Sequence, residues 1–257
     1  MIQSLDFVYN GISSKDMGVI QINSNSGLFE EQFVASKSIN EEKIRGRDKP
    51  YLFSVDYSPL SFSLTLYFGD KFTDEQARKV ARWLRQDYYK PFYTLDNPER
   101  VFYCMTTDDI NISHNGLGQG YITLNMRCDS PYAYSPYYED VLDFTNNTIS
   151  GTSFKVSNFG DIETYPEIWI KAKQDGDISI INTSNGGTEL KFTNIFVDET
   201  VYVDNENEDV ETDFPNTYRY DDHNGVYLSL VYGVNNLHVY GKCEIKIKYR
   251  YRYLLGF

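Results

Sequence analysis

Cysteine and histidine are scarce in this sequence. Its 257 residues include three of each, and the cysteines are Cys104, Cys128 and Cys243. No two cysteines stand in a C-x-x-C arrangement, and the histidines do not supply ligands at the short spacing of a zinc site. The odd number and the wide spacing predict buried thiols in a protein made in a reducing cytoplasm, not a disulfide framework.

Long apolar runs, a leader and catalytic motifs are also missing. No stretch of about 18 apolar residues occurs, and the first residues lack a basic region followed by an apolar core. The motifs G-x-S-x-G, H-E-x-x-H, G-x-G-x-x-G and G-x-x-x-x-G-K-S/T, which supply a nucleophile, metal ligands or a phosphate-binding backbone, are absent. We therefore expect no enzyme activity, no catalytic, cofactor or metal site, and no membrane span.

Positive charge is in short supply, because 24 lysines and arginines stand against 37 aspartates and glutamates. The formal net charge is −13. A chain this acidic repels the phosphates of nucleic acid and the anionic surface of a membrane. We predict no specific nucleic-acid binding and no membrane partner.

Aromatic residues are abundant, with 23 tyrosines and 16 phenylalanines. Such rings favour strands, where they cover a half-buried pleated surface. Ser61–Phe68, Tyr121–Cys128 and Cys243–Tyr253 alternate apolar and polar residues with period two, which predicts strands with one wet face in a mainly β protein. The predicted buried residues are Phe62, Leu64, Leu66 and Phe68; Ile122, Leu124, Met126 and Cys128; and Ile245, Ile247, Tyr249 and Tyr251.

One segment predicts a helix, from Asp74 to about Tyr89. Thr73 and Gln76 form a T-x-x-Q capping box, in which each side chain satisfies a free backbone N–H. Pro91 stands just past the predicted end. The apolar residues at helical spacing are Ala77, Val80, Ala81, Leu84 and Tyr88.

A domain boundary is predicted in Asp129–Pro136, which holds two prolines. Proline cannot donate to a strand ladder, so a sheet should stop there. We place a first β-sandwich domain, with the helix and an extended arm, at residues 1–133 and a second at residues 134–257. The strands predicted in the second are Pro166–Lys171, Ile178–Asn182, Glu189–Phe192, Val197–Val203, Val226–Val231, Leu237–Tyr240 and Cys243–Tyr253.

The segment of about residues 29–59 is less regular and poor in apolar residues. Arg45–Asp48 predicts a turn between its two halves. A surface loop is one interpretation, and an arm that reaches over a neighbouring subunit is the other. A loop this long inside a compact domain points to a function.

Two charged segments of the second domain are candidate sites. Asp204, Glu206 and Glu208 alternate as calcium ligands can, but the glycine of an EF-hand loop is missing, so a solvated acidic loop over Asp198–Asp213 is preferred. The last strand interleaves basic residues with tyrosines. A solvated face, pairing with an acidic loop and binding of single-stranded nucleic acid all remain open for it. The basic residues are Lys246, Lys248, Arg250 and Arg252.

Two further groups favour ordinary roles. Arg78, Arg82 and Arg85 lie on the polar face of the predicted helix, where a solvated stripe is expected. Several aromatic side chains of the second domain could stack on sugars, but a place in the core or an interface is favoured for each. These are Trp169, Tyr202, Tyr218, Tyr220 and Tyr227.

The order of these features resembles the siphophage distal tail proteins, a family of the phage baseplate hub. Phe7–Gly18 (FVYNGISSKDMG) is similar to the family's opening, F-x-Y-N-G-x-x-S-x-x-x-G. The resemblance covers essentially the whole chain, and the order and spacing of its motifs carry it. The other matching segments are the arm and following strand (Ile44–Leu64), the helix (Thr73–Leu84), the junction (Cys128–Tyr134), the turn Tyr232–Gly241 and the closing strand Lys248–Leu254.

The resemblance implies a structural protein of the virion tail, assembled in the cytoplasm of the bacterial host. In the family, the first domain joins six copies into a ring that continues the tail tube and leaves a channel for DNA. The arm laps onto the neighbour as a belt, and the second, galectin-like or carbohydrate-module-like sandwich points outward. The implied partners are the other copies of a homo-hexamer, the tail tube protein, the tail-associated lysin or fibre protein, and receptor-binding proteins.

Two alternatives remain open, a carbohydrate-binding adhesion module and a tail tube subunit. If the chain does form a ring around DNA, its net charge predicts a channel wall of acidic and neutral side chains. The basic stripes of the helix and of the last strand should then face away from the channel.

Overall fold

A computed structural model describes residues 4–22, 32–69 and 71–255, apart from the side chain of residue 109. The chain divides into two compact units. One takes in the described residues up to Ser135 together with residues 253–255, and the other is Pro136–Arg252. The sequence placed the boundary between residues 133 and 134, two residues before the observed one. It also assigned residues 253–255 to the second domain, whereas they belong to the first unit.

The first unit contains one large sheet and a separate hairpin. Seven strands follow the order β2-β1-β7-β8-β9-β6-β3, β10 pairs beside β8, and β4 pairs only with β5. This order sets β6, β9 and the second half of β8 side by side. The strands are β1 (Phe7–Tyr9), β2 (Ile12–Ser13), β3 (Ile20–Gln21), β4 (Lys37–Glu42), β5 (Tyr51–Tyr57), β6 (Ser61–Tyr67), β7 (Lys90–Thr94), β8 (Asn97–His114), β9 (Gly120–Cys128) and β10 (Ala133–Tyr134).

The long strand β8 is shared between two parts of this sheet. Its first residues pair with β7, and its last pair with β9, from Cys104 opposite Cys128 to His114 opposite Gly120. Alternation turns one face of β6 and β9 into the core, and the two inner faces predicted for these strands are confirmed. The buried residues of these faces are Leu64, Leu66, Phe68, Ile122, Leu124, Met126 and Cys128.

Helix α1 (Asp74–Leu84) is held mainly by Trp83, a residue that helical spacing did not single out. The Trp83 ring stacks on Phe7 with centroids 5.6 Å apart, and its indole N–H donates to the Tyr9 carbonyl (2.9 Å). Val80 and Leu84 are buried beside it, as predicted. Among the described residues, no helix has the length and apolar character needed to cross a membrane.

The helix ends earlier than the predicted Tyr89. Arg85 is already extended, and its neighbours satisfy the last helical carbonyls from outside the helix. The Gln86 amide donates to the Trp83 carbonyl (2.8 Å), and the Thr106 hydroxyl donates to the Leu84 carbonyl (3.3 Å). Tyr88, predicted on the apolar stripe, is therefore off the helix and 71% exposed.

The N-terminus of α1 has the predicted cap but not the full capping box. The Thr73 hydroxyl accepts a hydrogen bond from the Gln76 N–H (3.2 Å). The Gln76 side-chain amide instead donates to the Gly18 carbonyl (2.9 Å). Gln76 thus ties the helix to the loop before β3.

Replacing Thr73 with alanine should lower the free energy of unfolding by about 1 kcal/mol, because the Gln76 N–H loses its acceptor. Urea unfolding followed by the emission of Trp83 measures the change. Thr73→Ser keeps the hydroxyl and is the control. An equal loss of stability in both variants would show that the cap is not the cause.

The second unit is a sandwich of two antiparallel sheets, in line with the predicted fold class. One sheet has the order β11-β19-β13-β16-β17, and the other has β12-β18-β14-β15. Their buried residues include Ile168 and Ile245 in one and Ile180 and Val239 in the other. The strands are β11 (Tyr138–Asp143), β12 (Thr152–Asn158), β13 (Glu167–Ala172), β14 (Gly176–Asn182), β15 (Thr188–Ile195), β16 (Thr200–Asp204), β17 (Asp209–Thr212), β18 (Gly233–Tyr240) and β19 (Cys243–Tyr249).

The predicted last strand, Cys243–Tyr253, is interrupted after Tyr249. Arg250 and Tyr251 lie outside a strand, and the Arg250 carbonyl accepts from the Thr164 hydroxyl (2.7 Å). A two-residue strand, β20 (Arg252–Tyr253), follows and pairs with β10 where the chain returns to the first unit. The predicted inner residues of this segment, Ile245 to Tyr251, are nevertheless buried.

The strand predicted at Val226–Val231 is wrong. Leu230 forms a single bridge with Thr164, and the rest of the segment is irregular. Buried asparagine side chains take the place of a strand ladder. They bind the Leu228 N–H (Asn205, 2.7 Å), the Ser229 carbonyl (Asn182, 2.9 Å), the Leu230 carbonyl (Asn158, 2.9 Å) and the Val231 N–H (Asn235, 2.9 Å).

Candidate functional site

The wet face of β6, β9 and the second half of β8 consists mainly of small uncharged side chains. Cross-strand pairs set Ser63 beside Asn125 and Thr65 beside Thr123. Hydrogen bonds join Ser63 to Asn125 (2.6 Å) and the two threonine hydroxyls to each other (3.3 Å). We call this surface the neutral face. It continues through Tyr67, Thr107, Asn111, Ser113 and Tyr121.

Two charged side chains border the neutral face among the residues that the structure describes. Asp108 sits where the pairing of β8 with β9 shifts, and it accepts from the Asn125 amide (3.2 Å). Arg127 lies one pair further along β9, and its guanidinium donates to the Tyr89 hydroxyl. In a chain of net charge −13, a sheet surface with so little charge departs from the overall composition.

The predicted arm is a β-hairpin. β4 and β5 pair from Lys37 opposite Tyr57 to Glu42 opposite Tyr51, and the chain turns at Gly46 within the predicted turn. The interpretation as a surface loop is therefore wrong for residues 37–57. Residues 29–31 of the predicted arm lie outside the described part of the chain.

One face of this hairpin is apolar and uncovered. Before the register shift between Asn40 and Glu41, alternation sets apolar residues on one side, together with Lys37, and small or polar residues on the other. The apolar residues are between 36% and 64% exposed. An isolated two-stranded hairpin is marginally stable in water, so this one needs a partner surface. The apolar face is Ile39, Val55 and Tyr57, the opposite face is Ser38, Asn40, Ser54 and Asp56, and the exposed Leu52 and Phe53 lie at the register shift.

The arginine stripe of α1 is exposed, as predicted. Arg78 forms an ion pair with Asp74 one turn earlier (3.0 Å). Within the described ranges, Arg82 and Arg85 form no ion pair with another side chain. These two cations are therefore available to an acidic partner.

The basic residues of the last strand pair with acidic residues of their own unit. Of the three interpretations made from the sequence, this favours pairing over a solvated face and over binding of single-stranded nucleic acid. Arg252 reaches the predicted acidic run directly. The hydrogen bond that Lys248 donates to Glu167 raises the pKa of Lys248 above its ordinary value. The ion pairs are Lys246 with Glu139 (3.1 Å), Lys248 with Glu167 (2.9 Å) and Arg252 with Glu206 (3.1 Å). The cations lie over the rings of Trp169 (Lys246), Tyr137 (Lys248 and Arg250) and Tyr165 (Arg252).

The five aromatic candidates do not form one platform. Trp169 and Tyr202 are neighbours on β13 and β16, with ring centroids 4.9 Å apart. Tyr220 and Tyr227 instead use their hydroxyls to hold the acidic hairpin, through Asp209 (2.5 Å) and the Glu208 carbonyl (2.8 Å). Tyr218, at 84% exposed, is the most open of the five.

The acidic run Asp198–Asp213 is mostly a hairpin, so its interpretation as a loop is wrong. β16 and β17 bury Val201, Val203 and Val210, and Val210 stands between Asp209 and Glu211. The Asp204 carboxylate accepts the N–H groups of the following turn, as aspartate commonly does. Across the described ranges, no cluster of three His, Cys, Asp or Glu side chains is placed to hold a metal ion.

A buried ion pair in the second unit has no counterpart in the sequence analysis. Glu199 is fully buried and binds the Arg219 guanidinium through both carboxylate oxygens (2.6 and 2.7 Å). Arg219 also binds Asp222 (2.7 Å). Burial works against the charge of Glu199, but hydrogen bonds from Arg219, Thr212 and the Phe196 N–H hold its pKa below the ordinary value. This network fastens the irregular segment after β17.

The three cysteines are buried free thiols, which confirms that prediction. Burial, with the charge of Asp129, raises the pKa of Cys128 to about 12, and burial near Asp143 does the same for Cys243. Burial also raises the pKa of Cys104 well above its ordinary value.

Thiol reagents should therefore leave the folded chain unlabelled at pH 8, because the thiolate is the reactive form. Labelling with Ellman's reagent should reach three thiols per chain only after addition of denaturant. A thiol that reacts at the rate of free cysteine in the folded protein would contradict the burial described here.

Comparison with known proteins identifies the class of the chain. One family model, described as phage tail protein N-terminal domain, matches residues 2–130, and another, described as phage tail C-terminal domain, matches residues 132–249. The chain therefore belongs to this family of phage tail proteins. The SPbeta prophage-derived protein YomH of Bacillus subtilis (strain 168) is 31% identical over 252 residues, 98% of this chain and 99% of YomH.

Two solved structures show which tail protein fold this is. The SPP1 Dit protein (gp 19.1) is described as a paradigm of the hub adsorption apparatus in phages that infect Gram-positive bacteria. It matches with a TM-score of 0.70 at 16% identity, over 97% of this chain and 100% of its own. A chain of the phage P2 baseplate, in its activated conformation with calcium, matches with a TM-score of 0.51 at 9% identity, over 95% and 97%.

The chain is thus a structural component of a phage tail with the fold of the distal tail proteins. The resemblance found in the sequence is confirmed, together with the mainly β fold class. The structural matches concern the fold alone, because the identities are low.

Proposed function

We propose that six copies of this chain form a ring at the distal end of the phage tail, around a channel through which DNA passes. The neutral face is the observation that carries the proposal. An uncharged sheet surface in so acidic a chain suits a wall that must let a duplex pass without holding it.

The physical argument concerns contacts with phosphate. DNA carries one phosphate charge per roughly 1.7 Å of its axis, so a few exposed lysines on a channel wall would make many transient ion pairs. The hydroxyl and amide groups of the neutral face bind one another across strands and release no counterions. The arginine stripe of α1 and the basic residues of β19 are not part of this face, as the channel hypothesis requires. The net charge predicts a channel wall of acidic and neutral side chains. We propose that the neutral face supplies this wall.

The two units have different roles in this proposal. The first forms the ring, and its arm packs on the neighbouring copy, because no residue in the described part of the chain covers the apolar face. The second points outward and has no enzymatic role. The tail tube protein and the tail-associated lysin or fibre protein bind the ring at its two ends, and receptor-binding proteins bind around it.

Electron microscopy and native mass spectrometry test the ring. The chain is co-expressed with the tail tube protein and the tail-associated lysin of its phage. We expect closed rings with the mass of six copies. Stacked tubes would identify a tail tube subunit instead, and a monomer that persists beside both partners would reject the proposal.

A further inference from the structure

Three connections of the second unit meet at one end of its sandwich and enclose a polar pocket. They are the loop between β11 and β12, the turn between β13 and β14, and the turn between β18 and β19. The volume of the pocket is about 400 Å3. Sites for small molecules usually measure about 300–1,000 Å3. The lining residues include Thr148, Gln174, Asp175, Asp177, Tyr240 and Lys242.

The pocket lies at the end of the unit away from Pro136 and Arg252, where the chain enters and leaves it. β11 begins with Tyr138 opposite Tyr249 and ends with Asp143 opposite Glu244. The loop that follows β11 and the turn that precedes β19 therefore lie at the far end of both strands. All lining residues belong to the second unit, so the pocket does not depend on the proposed ring.

Hydrogen bonds between the three connections hold the pocket in shape. The buried Asn147 side chain donates to the carbonyls of Val239 (2.8 Å) and Gly241 (2.9 Å), which ties the β11–β12 loop to the β18–β19 turn. The Lys173 N–H donates to the Lys242 carbonyl (2.8 Å), which ties the third connection to the same turn. A pocket held in this way loses little conformational freedom when a ligand binds.

Hydrogen-bonding groups in the pocket are available to a ligand. One Asp175 oxygen accepts from the Val197 N–H (2.7 Å), and the other has no partner in the described part of the chain. Across the described ranges, the side chains of Gln174 and Lys242 form no hydrogen bond or ion pair. The free groups thus include a carboxylate oxygen that accepts, an ammonium that donates and an amide that does both.

The charges around the pocket balance. Asp177 forms an ion pair with Lys191 (3.2 Å). The charges that remain, on Asp175 and Lys242, are opposite in sign. The chain as a whole has a net charge of −13, which repels an anionic ligand. The pocket is therefore suited to a neutral ligand with hydroxyl groups, since each hydroxyl both donates and accepts.

Tyr240 adds an apolar surface to these polar groups. Its side chain is 38% exposed, and its ring lies against the His238 ring with centroids 4.6 Å apart. Hydrogen bonds join the His238 ring to the Ser153 hydroxyl (2.7 Å) and the Ser150 carbonyl (2.9 Å). The ring that supports Tyr240 is therefore fixed. The face of an aromatic ring is negative, so it attracts the polarised C–H groups of a sugar.

We propose that this pocket binds a neutral pyranose sugar. The C–H face of the sugar ring lies on Tyr240. Neighbouring hydroxyls of the sugar donate to Asp175 and accept from Lys242. The observation that carries the inference is one exposed aromatic ring beside unpaired donors and acceptors in a pocket whose charges balance.

Saturation-transfer difference NMR on the full chain tests the site. The probes are the methyl glycosides of glucose, galactose and N-acetylglucosamine, with glucose 6-phosphate as the anionic probe. We expect at least one neutral glycoside to receive saturation at its ring C–H protons and glucose 6-phosphate to receive none. Signals from none of the glycosides, or a stronger response from glucose 6-phosphate, would overturn the proposal.

Substitutions test whether the sugar binds at the pocket. Tyr240→Ala should weaken binding of the glycoside about tenfold, because the aromatic surface is lost. Tyr240→Phe keeps the ring and should bind as the parent does, so it separates loss of the ring from a folding defect. Tyr218→Ala removes a tyrosine that is 84% exposed and outside the pocket, and it should also bind as the parent does. Equal binding by the parent and Tyr240→Ala would overturn the assignment.

Discussion

Replacing Arg219 with methionine should lower the free energy of unfolding of the second unit by about 3–5 kcal/mol. The loss arises because Glu199 would keep its buried position without a cation to balance its charge. Asp222 would also lose its bond to the guanidinium. Urea unfolding followed by the emission of Trp169, which lies in the second unit, measures the change.

The dependence on pH distinguishes this cause from a simple packing defect. In the parent chain the pKa of Glu199 is lowered by folding, so the pair stabilises above the ordinary carboxyl pKa of about 4.3 and loses its effect as pH falls further. In the variant, burial without Arg219 should raise that pKa, so stability should fall as pH rises. The difference between parent and variant should therefore shrink in acid.

The double variant Glu199→Gln with Arg219→Met is the control. It removes both charges and leaves a neutral amide for Thr212 and the Phe196 N–H. It should recover a large part of the lost stability. A double variant as unstable as Arg219→Met, with the same pH profile, would show that the unpaired charge is not the cause.

Removal of the arm should abolish the ring while both units stay folded. Lys37 and Tyr57 lie directly opposite each other at the base of the hairpin, so Ser38–Asp56 can be replaced by an Asn-Gly turn. The deleted residues contribute nothing to the core of the first unit, so its unfolding midpoint should not fall. Native mass spectrometry should show single copies where the parent gives six.

Point substitutions separate the two faces of the arm. Ile39→Ser with Val55→Ser changes a directly opposed pair of the apolar face and should weaken the ring as the deletion does. Ser38→Ala with Ser54→Ala changes the opposite face and should leave the ring intact. Rings from the deletion variant, at the yield of the parent, would show that the arm does not hold neighbouring copies together.

Alternation along the strands was the part of the fold that could be predicted best. On β6, β9 and β19, apolar and polar residues alternate without a break, and each predicted inner face is buried. The same signal was found in part on β16, through the strand predicted at Val197–Val203, but it was hidden on β17, where Val210 stands between Asp209 and Glu211 and the segment was taken for a loop. Charge density and strand formation are separate properties, because the acidic side chains occupy the wet face.

The sequence predictions failed mainly where side chains, and not a neighbouring strand or the next helical turn, bind the backbone N–H and carbonyl groups. Val226–Val231 has a strand-like composition, but asparagines distant in the sequence bind its backbone groups. Gln86 and Thr106 end α1 in a comparable way. The Glu199–Arg219 pair was missed for the same reason, since only the fold brings these two residues together. The neutral face was also missed, because its residues come from three strands and carry no motif.

A cryo-electron microscopy map of the assembled ring tests the central claim most directly. The claim predicts six copies around a channel whose wall carries Ser63, Thr65, Thr123 and Asn125. It also predicts that Arg82 and Arg85 face protein and not the channel. A channel lined by the arginines of α1, or a ring in which the neutral face is turned to the outside, would contradict the account.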